Sequence, residues 1–508
     1  MNEAKSRRGK LSFFVLCALG AAMLATNRWF TAVDDEVSII DRASVPVAKT
    51  VDIFLSGVGQ HEHPPLYDIL LHGWLRLTGG NIHLLRFPAT VFYLVGVWLM
   101  ARIAGEISGR KAELTALLLG VLSPYGFHFG RLAAWYSFCF LLVALETHLY
   151  LRYLARRSSA NWIWMFLCSL ALIYSNYFGW VLLALLALDF FLLNRRVGFR
   201  PFAPILGMGA LLFAAFLPIL LAFLRELHRG VQLDQSLLAR MLTAAYVVYS
   251  MLVSESVAPW FWPLGVPAAI AVAAVVALAI RYSPPVGRRL LACFFVSLAI
   301  MTAIGVVETK RVLMLLPWLA LPIALAFASI SVATVRRVFG GLLIVVFGIG
   351  WFGIFDRKLY AAPHWVEPWA NVAREAAAVV RDGGIVIGNN ESFFFYLTYL
   401  LPPEAPAAPH DFRGFLPNSV THRGVYGPEQ WLAGGSHPVA REMLLVKGLH
   451  FGTSAAATDE AQLWLDQNCR ITSDRLMVHD LGAAVKMRLV PADNQLPWRV
   501  EVRSYSCP

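Results

Sequence analysis

Charge is scarce in this chain. Only 15% of its 508 residues are Asp, Glu, Lys or Arg, while 58% are hydrophobic and the mean hydropathy is +0.60. A water-soluble protein of this length closes a core without so much apolar sequence, so most of the chain is assigned to lipid. Several other features are lacking. The formal net charge of +11 comes with no basic-aromatic nucleic-acid module, and its Lys and Arg cluster beside apolar segments, as the positive-inside rule requires. A nucleic-acid partner is therefore excluded. "RDGGIVIGNN" has neither the glycine spacing nor the strand-turn-helix order of a dinucleotide fingerprint. The first apolar run, Leu11 to Phe30, ends in "NRWF" rather than a small-residue cleavage site, so it reads as a retained helix.

What is present is a series of long apolar runs. Segments able to span a bilayer fall at residues 11–30, 84–104, 112–127, 133–151, 161–177, 179–194, 202–223, 262–280, 290–307, 312–333 and 338–355. With a cytoplasmic N-terminus, alternate loops should be basic, and they carry Arg110 and Lys111, Arg152, Arg156 and Arg157, Arg195, Arg196 and Arg200, Arg281, Arg288 and Arg289, then Arg336 and Arg337. Eleven spans leave the C-terminal region outside. From residue 361 onward apolar runs stop and Asp, Glu, His, Asn, Pro and Gly become frequent. The expected organisation is a transmembrane domain over 1–357, with a first outer loop at 31–82, and an extracytoplasmic α/β domain over 358–508. The N-terminus is expected in the cytoplasm and the C-terminal domain in the periplasm or its equivalent.

The first outer loop is longer than a connection needs and too apolar for disorder. In "HEHPPLYDILLHGW" the Pro-Pro step leads into a helical pattern. Leu66, Ile69, Leu70, Trp74 and Leu77 share one face, and Asp68, His72 and Arg76 another, as expected for an amphipathic helix in the membrane interface. Alone, such a helix needs no role beyond packing. However, Asp34, Asp35 and Glu36 follow the first membrane helix in the same loop, and acids near the hydrocarbon boundary are costly without a function. Arg86, Lys310 and Arg311 fall on the same membrane side. Carboxylates with facing cations suit a phosphate-linked substrate and a base, Arg providing a bidentate fork and Lys a point charge.

On these residues the chain resembles polytopic GT-C glycosyltransferases, the bacterial relatives of protein O-mannosyltransferases and lipid A aminoarabinose transferases. The matching features are Asp35-Glu36, "HPPLYDILLHGWLRL", Arg86 with Pro88, "LSPYGFHFG", "IYSNYFGW", "KRVLMLLPWLALP" and "VEPWANVAREAAAVVRDGGIVIG". Where many relatives carry Gln-Glu-Ala-Arg-x-Tyr the chain reads "GRLAAWYSF", keeping Tyr136 with Arg131 a turn earlier, and Asn176 stands where His is usual. The resemblance implies a GT-C-like fold and an inverting transfer of sugar from a polyprenyl-phosphate donor to a hydroxyl on the outer face. The acceptor class, whether lipid, glycan or protein, stays open. On that reading Asp35 is the candidate general base, with Asp34 the alternative and Glu36 orienting the base or holding the sugar. Arg311, Lys310, Arg86 and His63 are candidates for the donor phosphate. His61, Glu62, Tyr67, Arg131, Tyr136, Asn176 and Tyr177 are substrate-binding candidates. His61, Glu62 and His63 are donors of the right type for Mg or Mn. Successive residues rarely converge on one ion, so no cofactor is required and no metal is expected.

Two other function classes fit parts of the pattern. A transporter or flippase for a lipid-linked sugar would share the many spans, but no internal repeat with paired interrupted helices is visible. A non-catalytic envelope-glycan assembly protein would not need acids and cations together. Four cysteines (Cys17, Cys139, Cys168, Cys293) fall in membrane segments as small apolar fillers, whereas Cys469 and Cys507 lie in the outside domain, where a disulfide is expected.

Overall fold

The computed structural model describes residues 2–27, 30, 34–56, 63–79, 81, 84–196, 200–230, 236–356, 359–361, 369–401, 424–433, 437–448, 455–478 and 499–508. They form two compact units. One comprises Met1–Asn27, Val47–Gly79 and His83–Phe355; the other comprises Arg28–Pro46, Gly80–Ile82 and Asp356–Pro508. In chain order the first helices are α1 (Asn2–Ala25), α2 (Asp34–Ser44), α3 (Val47–Ser56), α4 (Leu66–Thr78), α5 (Phe87–Ser108), α6 (Arg110–Leu122) and α7 (Pro124–Phe129). There follow α8 (Trp135–Ala155), α9 (Ser159–Ile173), α10 (Gly179–Asn194), α11 (Ala203–Gly230), α12 (Leu237–Val253) and α13 (Trp262–Tyr282). Then come α14 (Pro285–Ala303), a 3-10 turn (Arg311–Leu315) leading into α15 (Leu316–Ser329), and α16 (Ala333–Asp356).

All of these except α2 belong to the first unit. Seven of its helical segments are long and apolar enough to cross a membrane: Phe87–Ser108, Trp135–Ala155, Ala203–Arg225, Trp262–Tyr282, Pro285–Ala303, Arg311–Ser329 and Ala333–Asp356. Phe14–Ala25, Ser159–Ile173, Gly179–Asn194 and Leu237–Val253 are shorter apolar helices. α15 lies at the centre, with Leu316 to Ala326 all buried. Helices packed in lipid gain no hydrophobic drive from each other, so small residues and polar contacts between helices matter. Trp318 of α15 donates to the Thr147 hydroxyl of α8 (2.9 Å), and Tyr93 of α5 donates to the Gly120 carbonyl of α6 (2.7 Å).

The charges separate to opposite ends of this bundle. At one end Arg289 pairs with Asp189 (2.9 Å), which accepts from the Tyr150 hydroxyl (2.6 Å), and Arg157 reaches Asn194 (2.5 Å). The basic loops after α5, α8, α10, α13 and α15 lie at this end. At the other end Trp351 donates to the Leu122 carbonyl (2.8 Å), Tyr125 to the Thr309 carbonyl (2.6 Å) and Arg240 to the Ala303 carbonyl (2.7 Å). The expected span at 112–127 stops at Leu122, because Pro124 has no N–H to continue the ladder and Ser123, in extended backbone, instead caps α7 through its hydroxyl (2.9 Å to the Gly126 N–H). α12 was not among the expected spans. It begins near the end of α14 and finishes beside Gly350 of α16, so both its ends lie at the same end of the bundle.

The second unit contains α2, α17 (Trp369–Arg381), β1 (Ile385–Gly388), α18 (Glu391–Leu400), β2 (Val425–Tyr426) and α19 (Pro428–Leu432). It continues with β3 (Glu442–Gly448), α20 (Ala455–Asn468), β4 (Arg470–Val478) and β5 (Arg499–Ser506). The sheet order is β2-β1-β3-β5-β4, with β2, β1 and β3 parallel and β5 antiparallel to both β3 and β4. Successive β3 residues face opposite sides, as a pleat demands. Leu444 and Val446 pack with α17 and α18, whereas Met443 and Leu445 pack with Trp431, Ala461 and Leu465 of α19 and α20. The result is an α/β layered domain. A disulfide joins Cys469 to Cys507 (Cα–Cα 4.5 Å) at the end of the β4–β5 pair, where Arg470 faces Ser506.

Candidate functional site

The end of the bundle opposite the basic loops collects most of the sequence-predicted residues that are described. Its entry is the His-Pro-Pro segment. Pro64 and Pro65 are buried, and the Leu66 N–H donates to the Tyr174 carbonyl (3.1 Å), tying the start of α4 to the end of α9. His63 packs against the indole of Trp135 (ring centroids 4.4 Å), which in turn packs against Tyr136 (4.4 Å). Trp135 is buried, and its indole N–H meets no acceptor among the described residues. A buried donor of this kind is costly unless a ligand or water oxygen accepts from it.

α4 differs from its sequence reading. Its buried side carries Tyr67, Asp68, Leu71 and Leu75, so Asp68 of the expected polar face turns inward, while Leu70 and Leu77 of the expected apolar face are 43% and 82% exposed, as an interfacial helix allows. Tyr67 packs near Phe138 of α8 (6.2 Å), so the aromatic and the acid of the first turn point inward with Leu71 and Leu75, and Leu70 and Leu77 face outward. An amphipathic pattern locates a boundary between two environments without saying which is protein. In lipid the leucines face out at no cost.

Arg86 precedes α5, is buried, and donates to the Asn27 carbonyl at the end of α1 (3.1 Å). Arg131 is fully buried. It donates to the carbonyls of Phe127 and Met23 and to the Thr26 hydroxyl, each at 2.8 Å, while its guanidinium lies 4.0 Å from the centroid of the Phe127 ring. That set of partners makes Arg131 a clamp between α1 and α7. Asn176 likewise spends its side-chain oxygen locally, accepting from the Phe178 N–H (2.8 Å) where α10 begins. Tyr177 stacks edge-on with Phe216 and near Phe223 of α11.

Lys310 and Arg311 stand together at the 3-10 turn that opens α15. Both approach one carboxylate: Glu308 Oε2 is 3.5 Å from Lys310 Nζ and 3.2 Å from Arg311 Nε. The turn itself is fixed from behind. The Thr309 hydroxyl donates to the buried carboxylate of Glu255, and the Thr309 carbonyl accepts from Tyr125 (2.6 Å). Glu255 is delivered by a strained residue. Ser254, fully buried at the C-cap of α12, has φ 72° and ψ 174°, a region used almost entirely by glycine, and its hydroxyl lies 3.4 Å from His128 Nδ1. Such strain costs on the order of 1–3 kcal/mol and persists only where its surroundings enforce it. Sequence reasoning missed Ser254, Glu255 and Glu308. A buried acid directly after an apolar helix was the available signal for Glu255, and an acid two residues from a cation pair the signal for Glu308.

The first-loop acids fall in the second unit. Asp34 and Asp35 form the first turn of α2, with their side chains outside the described set, and Glu36 is buried. α2 packs against α18 of the same unit. His61 and Glu62 lie outside the described residues. Among the described residues no group of three His, Cys, Asp or Glu side chains is placed to hold a metal ion.

Known proteins share both sequence and architecture with this chain. Residues 62–222 match the family described as dolichyl-phosphate-mannose-protein mannosyltransferase. No curated protein sequence matches significantly. Among solved structures, ArnT from Cupriavidus metallidurans bound to undecaprenyl phosphate superposes with a TM-score of 0.56 at 12% identity, covering 98% of each chain. Its apo state gives the same score and identity over 99% of this chain and 98% of that one. The chain therefore has the fold of ArnT, and within it residues 62–222 are similar to the dolichyl-phosphate-mannose-protein mannosyltransferase family.

Proposed function

We propose that the protein is an inverting glycosyltransferase that moves a sugar from a polyprenyl-phosphate donor to an acceptor hydroxyl on the outer face of a bacterial inner membrane. The observation that carries this reading is the Lys310–Arg311 pair, braced on a turn at one end of an ArnT-like bundle. ArnT itself has been solved with undecaprenyl phosphate bound. A phosphate attached to a polyprenyl chain is a good leaving group, so the protein needs chiefly to stabilise the charge that develops on it. A guanidinium fork and an ammonium do this, and His63 with the unpaired Trp135 N–H adds donors at the same end. Asp35 removes the proton of the attacking hydroxyl, with Asp34 the alternative and Glu36 orienting it. The C1–O bond to phosphate breaks as the bond from acceptor oxygen to C1 forms, and the acceptor proton passes to the carboxylate. No metal enters this scheme. On this reading the basic loops at the opposite end face the cytoplasm and the disulfide-bonded second unit lies in the periplasm, as the positive-inside rule and an oxidising compartment for the disulfide support.

The test is direct. Purified protein is incubated with a panel of radiolabelled polyprenyl-phosphate sugars and a membrane extract, and the lipid, glycan and protein fractions are counted. Label passing from at least one donor into one fraction supports the reading. No transfer across a broad panel, with the donors left intact, rejects it in favour of transport or scaffolding.

A further inference from the structure

Both site cations already share a partner, and that partner has the most exposed side chain of the three, although the oxygen both approach, Oε2, is itself buried. The Glu308 side chain is 44% exposed, against 21% for Lys310 and 20% for Arg311. The backbone between them cannot readily give, because Thr309 is held by Glu255 on one side and Tyr125 on the other. Movement is therefore left to the Glu308 side chain, which can rotate into solvent while the cations keep their places. A carboxylate and a phosphate also present alike to a guanidinium, two oxygens to the same fork.

We propose that Glu308 is a built-in competitor for the donor phosphate. It occupies the Lys310–Arg311 pair between turnovers, yields it to the incoming donor and retakes it to expel the product. This rests on the reading that these cations bind the donor phosphate. The chemistry gives the competitor its use. The donor is a phosphodiester with one negative charge. Cleavage of its C1–O bond leaves a phosphate monoester carrying up to two, so cations suited to the transition state would retain the product. A carboxylate tethered two residues from Lys310 and three from Arg311 counters this in two ways: it repels the added charge, and it offers the cations another anion at high local concentration.

The experiment measures equilibrium binding of undecaprenyl phosphate, without sugar, to the full chain in nanodiscs for the native protein, Glu308→Gln, Glu308→Ala and Lys310→Ala/Arg311→Ala. Both Glu308 variants should bind about three- to tenfold tighter, as expected when a partly exposed ion pair no longer competes. In a transfer assay they should keep the single-turnover rate while the steady-state rate falls. Unchanged or weaker binding in both Glu308 variants overturns the proposal, since Glu308 would then merely orient the cations. Binding by the double cation variant equal to native overturns the underlying assignment of the phosphate site, whatever Glu308 does.

Discussion

Arg311 and Lys310 differ in what each supplies, and substitution should separate them. Arg311→Lys keeps the charge but loses the planar fork, so transfer should fall nearly as far as in Arg311→Ala, about 10²-fold or more in kcat. Lys310→Arg should be tolerated better. Steady-state rates in detergent or nanodiscs check both. Behind them, Glu255→Leu strands the Thr309 hydroxyl in a buried site, for an expected loss of about 1–3 kcal/mol, whereas Glu255→Gln preserves an acceptor oxygen and should keep most of the stability. Thermal unfolding of the two variants checks this, and equal losses would mean that the charge rather than the hydrogen bond matters. The cations were legible in the sequence because they sit directly before an apolar span. Glu255 was not, since its partner lies 54 residues away. Arg131 shows the same limit. Sequence displays its charge but not that its partners include Met23, 108 residues earlier.

At the scale of elements, two close approaches hold the site end together. A Cβ on Gly126 of α7 would lie 1.7 Å from the Tyr93 hydroxyl oxygen, and one on Gly350 of α16 would lie 2.3 Å from the Val253 carbonyl. Gly126→Ala should therefore displace Tyr93 from the Gly120 carbonyl and destabilise the protein by about 1–3 kcal/mol, measured as a lower unfolding temperature. Ser254 offers the opposite test. Ser254→Gly relieves a backbone angle that only glycine adopts easily, while Ser254→Val combines that angle with a β-branched side chain in a fully buried site. The valine variant should unfold at a clearly lower temperature than the glycine one. Helix positions were largely readable, since apolar runs and flanking Arg mark them. The inward face of α4 was not, because Leu70 and Leu77 signal apolar surroundings whether those are protein or lipid. The break at Ser123-Pro124 was signalled by a Ser-Pro step that the longer apolar run obscured.

The whole molecule combines a lipid-facing bundle with a layered α/β unit that incorporates part of the first loop, including α2. Sequence composition shifts at about residue 361, whereas a segment as short as 28–46 can join a unit distant in sequence without any change in composition. Within the second unit, the Cys469–Cys507 disulfide spans 38 residues and ties β5, which lies between β3 and β4. Removing that cross-link should cost on the order of 3–4 kcal/mol by loop closure, seen as loss of unit unfolding cooperativity or a lower transition temperature in Cys469→Ser/Cys507→Ser. The most direct measurement for the account as a whole is transfer of radiolabelled sugar from a polyprenyl-phosphate donor by the native protein, Arg311→Ala and Asp35→Asn, each shown to be folded and monodisperse. Transfer by the native protein with about 10²-fold or greater loss in both variants is the predicted result; near-native turnover in either variant, or none by the native protein with any donor, would contradict it.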